Sequence, residues 1–435
     1  MGSIWERRVE RAHFDTLEGN KSTDVLIIGG GIAGVLCAHQ LKQTGVECML
    51  VEATDIGGGI TKNTTAKITL GHGLIYDKMI RRFGEHRARL YVEAQIKAER
   101  EYARLCRTMN CDYEARDSYV YSLRDRGKIE REVSALNRLG VKAEYSDARE
   151  LPIEVAGAVR VGDQAQFHPL KFLYAIAKGL PIYEHTKVVE LMPHKARTNH
   201  GEIRYKKLII ATHFPILNKH GLYPLKLYQH RSYVLALRGA HNVEGMYVDE
   251  CDKGLSFRSF GDVLLLGGGG HRTGKRGGCW QEIEDFAKKQ YKNVEIVGRW
   301  ATQDCMTLDD IPYIGQYAKS TPDVFVATGF NKWGMTNAMV AAQLLCDLVR
   351  GKPNPYTAVF SPSRAMLRPQ LAINAFESTV GLLTPTTPRC PHLGCALKYN
   401  RAEHSWDCPC HGSRFTEQGE LIDNPATDDH GSIRR

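Results

Sequence analysis

The densest group of chemically capable residues lies near the C-terminus, in RCPHLGCALKYNRAEHSWDCPCHGSRF, residues 389–415. Four cysteines and three histidines share this stretch. Cys390-Pro391-His392 is followed by Cys408-Pro409-Cys410-His411, a C-x-H arm and then a C-x-x-H arm. Two thiolates and two imidazoles so arranged fit a [2Fe–2S] centre in which the cysteines hold one iron and the histidines the other. The same four donors also satisfy tetrahedral zinc, although C-x-H is unlike common zinc-finger spacing. An unmetallated docking lobe is the third option.

A second constellation opens the chain. In DVLIIGGGIAGVLCAHQLKQTGVECMLVEA, residues 24–53, the apolar run Val25 to Ile28 predicts a strand buried on both faces. It leads into Gly29, Gly31 and Gly34 of G-x-G-x-x-G, then a helical pattern from Ile32 to Gln43, then a second strand from Cys48 to Val51 that ends at Glu52. Gly29 permits the tight turn, Gly31 the approach of a pyrophosphate, and Gly34 the packing of helix on strand. The helix N-terminus offers free N–H groups to phosphates. Glu52 is placed to accept from a ribose hydroxyl, so the unit predicts a bound dinucleotide.

Two later segments favour FAD over NAD. KKLIIATHFP (206–215) is a buried strand ending at Ala211-Thr212, which resembles the strand and small-residue turn beneath FAD in two-dinucleotide-fold flavoproteins, and DVFVATGFNKWGMTNAMVAAQLLCDLVRG (323–351) is a strand, a turn at Gly329 and a long helix begun near Gly334 to Thr336. A helix begun there aims its positive end at the flavin. DDIPYIG (309–315) precedes it. LLLGGGGHRTG (264–274) has no helix and terminal acid behind it, so it reads as a glycine-rich bend and not as a second dinucleotide site.

Together with GITKNTTAKITLGHGLIY, these segments resemble the D-amino-acid-oxidase-like FAD-dependent oxidoreductases over roughly residues 3–352. Ser3-Ile4-Trp5, Thr64-Thr65-Ala66-Lys67 and Lys332-Trp333-Gly334-Met335-Thr336 make the chain similar to a subgroup that carries a C-terminal Rieske iron–sulfur domain. The resemblance implies an α/β fold: a Rossmann-like FAD domain, an interleaved antiparallel substrate sheet and a small C-terminal β lobe. The candidate FAD contacts are Gly29, Gly31, Ile32, Ala33, Gly34, Glu52, Ala53, Thr65, Ala66, Lys67, Val188, Ala211, Thr212, Gly315, Gly329, Trp333, Gly334, Met335 and Thr336. Some relatives attach FAD to a histidine near the position of His72.

The Rieske resemblance implies Cys390, His392, Cys408 and His411 as cluster ligands, and a disulfide between Cys395 and Cys410. Ser413 keeps a hydroxyl able to donate to a cluster sulfur. Phe415 stands where the highest-potential members have tyrosine, so one hydrogen bond fewer should lower the potential. His404 falls outside the ligand pattern and reads as a surface residue. The lobe is small, with few strands expected before its first ligand loop, and should depend on cluster, disulfide and docking for stability.

The elements that position these groups divide as follows: residues 1–80, 155–215 and 295–352 for FAD binding, 81–154 and 216–294 for the substrate domain, 353–388 as linker and 389–435 as cluster lobe. A long amphipathic helix is expected over 86–109, and strands over 119–125, 231–239 and 262–270. Lys67, Tyr233, Arg258 and His271 are the candidate catalytic residues on segments expected to face the flavin.

Composition limits the function classes. The chain has 435 residues and a net charge of +9, with basic residues dispersed in isolated pairs, which argues against nucleic acid. No apolar run is long enough to span a membrane, and the charged N-terminus lacks the apolar core of a signal peptide. A cytoplasmic location is expected. The expected activity is oxidation of a small amine or amino-acid-like substrate at FAD, with electrons relayed singly through the cluster to an external carrier. Inward flow, as a reductase, and a simple oxidase with a structural zinc or docking tail are the alternatives.

Overall fold

The computed structural model describes residues 2–7, 9–217, 220–385 and 388–431. Three sheets organise them. The first has eight strands, in the order Tyr313–Gln316, Val324–Thr328, Gly201–Ile210, Lys21–Ile28, Cys48–Val51 and Ile182–Tyr183, with the hairpin Val188–Met192 and Lys195–Thr198 paired onto Gly201–Ile210. Its middle strands run parallel. Val25 to Ile28 are buried throughout because both faces of the sheet are covered: Val25 and Ile27 lie in the hydrophobic cluster formed with the helices, and Leu26 and Ile28 in one formed with Val188, Ala196, Phe214 and Tyr223. The helix Ile32–Gln43 packs against the helix Gly334–Val349. Gly34 is what lets the first helix sit so low, since a Cβ there would stand 1.9 Å from the Gly29 carbonyl oxygen.

The second sheet has nine strands, led by Glu295–Met306, Tyr228–Arg238, Val263–Arg272 and Ser256–Phe260. It continues through Met246–Asp249, Glu114–Ser122 and Gly157–Gln166 to Lys67–Ile68. Every pairing is antiparallel except that of Met246–Asp249 with Glu114–Ser122. The long helix runs from Glu85 to Cys106. Trp5, fully buried, donates from Nε1 to the Thr64 carbonyl at 2.7 Å, so the N-terminal SIW segment and the TTAK segment are locked together.

The third sheet is the C-terminal lobe, four short antiparallel strands: Lys398–Asn400, Ser405–Asp407, Arg414–Thr416 and Leu421–Asp423. Within 353–388 lie two helices, Thr357–Phe360 and Pro369–Leu383. The second packs on the lobe: a Cβ on its Gly381 would stand 2.5 Å from Cys410 Sγ. Among the described residues no helix is long and apolar enough to cross a membrane.

Candidate flavin cavity and cluster centre

One cavity of about 630 Å³ runs between the first two sheets and reaches the lobe. One end is the glycine turn. Gly29 adopts φ +110°, and a Cβ there would stand 2.6 Å from the Ala211 carbonyl oxygen, so only glycine fits. Gly31 and Ala33 line the cavity, and a Cβ on Gly31 would meet only Thr61 Oγ1, at 3.5 Å. Glu52 is fixed at the end of its strand: its carboxylate accepts from the Gly30 N–H at 2.6 Å and the Thr54 N–H at 2.9 Å while facing the cavity. A cradle open to the cavity, roofed by a helix N-terminus and ended by an oriented carboxylate fits a dinucleotide.

The other end is chemically richer. Lys67 faces the cavity, with Nζ donating to Thr65 Oγ1 at 3.0 Å. Burial, with the Arg258 charge behind it, pulls its pKa down to about 7. Thr302, Asp304 and Met306 alternate inward from one strand. Burial pushes the Asp304 pKa up to about 6, against the pull of Lys332 and Arg231. Trp333, at the start of the helix Gly334–Val349, stacks on His72 with centroids 5.1 Å apart. Both His72 nitrogens are engaged, Nδ1 with the Tyr91 hydroxyl at 2.7 Å and Nε2 with Thr336 Oγ1 at 2.9 Å, and burial drives its pKa down to about 3.

Most sequence-derived contacts line this cavity: Ile32, Ala53, Thr65, Val188, Thr212, Gly329, Gly334 and Met335 join those already described. Gly34, Ala66 and Thr336 do not line it. Gly315 lies apart, against Pro362. Of the four catalytic candidates, Lys67 and Tyr233 reach the cavity and two do not. Arg258 is wholly buried beneath it, over the Trp5 ring at 5.2 Å, donating to Gln166 Oε1 at 2.8 Å and to the carbonyls of Thr65, Ala66 and Phe167. It braces the segment that presents Lys67. His271 turns instead to the Tyr233 hydroxyl, 3.0 Å from its Nε2, and to Cys279 Sγ at 3.6 Å.

In the lobe, Cys390 and Cys408 are buried with their thiols within hydrogen-bond reach of each other. The rings of His392 and His411 stand 5.0 Å apart. Burial pushes their pKa values down to about 4 and about 3, so both imidazoles are neutral, as metal ligands must be. His411 Nδ1 is buried without a hydrogen-bond partner, the state of a nitrogen shaped for a metal and not for the protein. This donor set fits a [2Fe–2S] cluster. Cys395 and Cys410 are joined by a disulfide. Ser413 Oγ accepts from the Ala426 N–H at 2.9 Å and lies within reach of the Cys390 thiol. Phe415 is fully buried and His404 exposed.

A wall shared by cavity and lobe was missed in the sequence. His213, Leu421, Asp423, Asn424 and Thr427 all line the cavity. His213 Nε2 lies 3.0 Å from Gln229 Oε1, and Gln229 Nε2 donates to the carbonyls of His411 at 3.0 Å and Asn424 at 2.9 Å. Phe214 packs edge-on against both His392 and His411 at 6.3 Å. Gln303 Nε2 donates to the Gly412 carbonyl at 2.9 Å. Across the seam, Glu403 accepts from Arg231 and from the Tyr233 hydroxyl, and within the lobe from Arg414. Of the cavity-lining residues of this wall, only His213, next to Ala211-Thr212, stands in a segment the sequence marks for the flavin.

The comparisons accord with this geometry. Residues 24–348 match the family model for FAD-dependent oxidoreductases of the DAO type. The chain belongs to that family. Residues 369–433 match the Rieske [2Fe–2S] domain, so this DAO-family oxidoreductase uses FAD and a [2Fe–2S] cluster. The chain is 34% identical to YhfW of Bacillus subtilis (strain 168), designated a Rieske 2Fe-2S iron-sulfur protein, over 98% of this chain and 96% of that one. It is 26% identical to γ-glutamylputrescine oxidoreductase of Escherichia coli (strain K12), over 80% and 88%. Its fold is similar to glycine oxidase from Geobacillus kaustophilus, with TM-score 0.66 and 18% identity, covering 79% of this chain and 99% of that one.

Proposed function

We propose that the protein oxidises a small amine at the flavin cavity and passes the electrons one at a time through the cluster to an external carrier. The observation that carries this reading is the shared wall: cavity-lining His213 is one glutamine away from the His411 carbonyl. Bound FAD takes up a hydride and can part with electrons singly, whereas a [2Fe–2S] cluster carries one. The relatives' names, an oxidoreductase of γ-glutamylputrescine and an oxidase of glycine, point to an amine-bearing substrate.

The chain's own residues then have distinct tasks. The proposed FAD contacts are those lining the cavity, and the proposed cluster ligands are Cys390, His392, Cys408 and His411. Lys67, with its pKa pulled down to about 7, is a neutral proton acceptor at mildly alkaline pH and takes the proton of the substrate ammonium. Asp304 and Lys332 orient the polar end of the substrate. The sixteen-residue helix from Gly334 directs its partial positive charge at the cavity wall, where negative charge builds up on reduction. Phe214 and Gln229 exclude water between the two centres.

An anaerobic screen of amines and amino acids for flavin bleaching, followed by paramagnetic resonance, tests the reading. The expected result is a substrate that bleaches the flavin and then raises a [2Fe–2S] signal. A flavin bleached with no cluster signal after full reduction would reject the relay.

A further inference from the structure

The helix Pro369–Leu383 presents an apolar face to solvent. Phe376 is 66% exposed and Leu383 77%, with Ile373, Val380 and Leu382 exposed beside them. Leu393, in the first cluster loop, is 45% exposed. These are six of the twelve large hydrophobic side chains exposed among the described residues. Scattered apolar residues need no partner, but a concentrated patch does.

This patch is continuous with the cluster. The Leu382 carbonyl accepts from Arg389 at 3.1 Å, the same guanidinium donates to the Gly394 carbonyl at 2.7 Å, and Gly381 sits on the disulfide. Cys390, Cys408 and His411 are buried, and His392 is half-buried, next in the chain to exposed Leu393. The helix therefore borders both cluster loops, through Gly394 beside Leu382 on the first and the Cys395–Cys410 disulfide beside Gly381 on the second.

The rim is basic. Arg368 caps the helix, Arg272 donates to Asn374 at 3.0 Å, and Lys275 pairs with Glu377 at 2.6 Å, followed by exposed Arg276. Glu377 is the helix's one charged residue, and Lys275 neutralises it. A two-fold contact with a second copy would set this collar against itself, because such an interface pairs the same patch from both subunits.

We propose that the Pro369–Leu383 face is the docking surface for an acidic one-electron carrier protein, with the apolar helix at its centre and the cationic collar at its rim. The proposal rests on the reading that electrons pass through the cluster. An apolar centre within a polar rim suits a small, transient contact. Opposite charge at the rim raises the rate of encounter and makes it salt-dependent.

The test uses the full-length holoprotein. A reduced acidic [2Fe–2S] ferredoxin is mixed with the oxidised protein in stopped flow, and the oxidised pair is titrated by calorimetry, with basic cytochrome c as the control of opposite charge. Phe376→Ser with Leu383→Ser, and separately Arg276→Glu, should each lower the second-order rate constant and the association constant about tenfold. Reduction by dithionite and the paramagnetic resonance spectrum should stay unchanged. In the wild type, salt should slow the ferredoxin reaction. Unchanged ferredoxin kinetics and affinity in the variants would overturn the proposal, as would tighter binding of cytochrome c. So would a wild-type dimer that the variants make monomeric, or anionic-vesicle binding that they abolish, if carrier affinity is untouched. Absence of any iron–sulfur signal would remove the parent reading as well, which separates the two failures.

Discussion

Gln229 donates from Nε2 to the carbonyl of His411, a proposed cluster ligand, at 3.0 Å, while its Oε1 meets His213 of the cavity at 3.0 Å. Gln229 and His411 are 182 positions apart in the chain. Gln229 is buried on a strand of the nine-stranded sheet, so the sheet that lines the cavity also fixes the His411 loop.

Gln229→Leu should therefore loosen the lobe without touching the FAD cradle. Leaving a buried carbonyl unsatisfied costs about 1–3 kcal/mol, which is roughly a fivefold to hundredfold shift in the docking equilibrium. Limited proteolysis should release a C-terminal fragment correspondingly faster, with flavin absorbance unchanged. A fragment released at the wild-type rate removes this role from Gln229.

The two glycines of the first turn should fail differently. A Cβ on Gly34 meets a backbone oxygen at 1.9 Å, so Gly34→Ala should give little folded protein. On Gly31 the nearest protein atom is 3.5 Å away, so Gly31→Ala should fold, and Gly31→Val should lose FAD by blocking the pyrophosphate. Circular dichroism and the flavin-to-protein ratio separate folding from binding. Equal loss of fold in Gly31→Ala and Gly34→Ala would show that the turn, and not the ligand, requires Gly31.

Lys67 predicts a pH limb. Its pKa is lowered to about 7, so the amine is protonated below that pH and free to accept a proton above it. The rate of anaerobic flavin bleaching should rise about tenfold per pH unit up to about pH 7 and then level off. Lys67→Met should remove the limb and slow bleaching about 10²-fold or more. A Lys67→Met profile that keeps the same inflection assigns the proton to another group.

His411→Ala should abolish the [2Fe–2S] resonance while FAD stays bound, because the proposed ligand and the glycine cradle lie in turns attached to separate sheets. The readout is the iron-to-flavin ratio. Retention of near-stoichiometric iron in this variant would exclude His411 as a ligand.

Local signals were legible wherever short-range sterics or ligand chemistry dictate a residue. The helix Ile32–Gln43 and the strand Cys48–Val51 begin and end where apolar spacing places them. Side-chain direction in the substrate sheet was harder. Tyr233 and His271 both stand on paired strands, yet the register shifts between Arg231 and Tyr233, and a one-residue slip turns a side chain to the other face. Arg258 follows cavity-lining Ser256 by two residues, about 7 Å along the strand, far enough to carry it past the cavity and over the Trp5 ring. Nothing within the neighbourhood of Glu403 or Gly381 announces Arg231 or the Cys395–Cys410 disulfide as its neighbour.

The amino-acid sequence alone determined which prosthetic groups this chain is built to hold, because phosphate cradles and iron ligands demand particular residues at short, fixed separations. Only the tertiary structure decided that the two sites share a wall, that Arg258 is buried over the Trp5 ring and away from the cavity, and that the helix Pro369–Leu383 packs on the disulfide between the cluster loops. Those outcomes depend on strand register and on contacts between residues far apart in the chain, which no local pattern encodes.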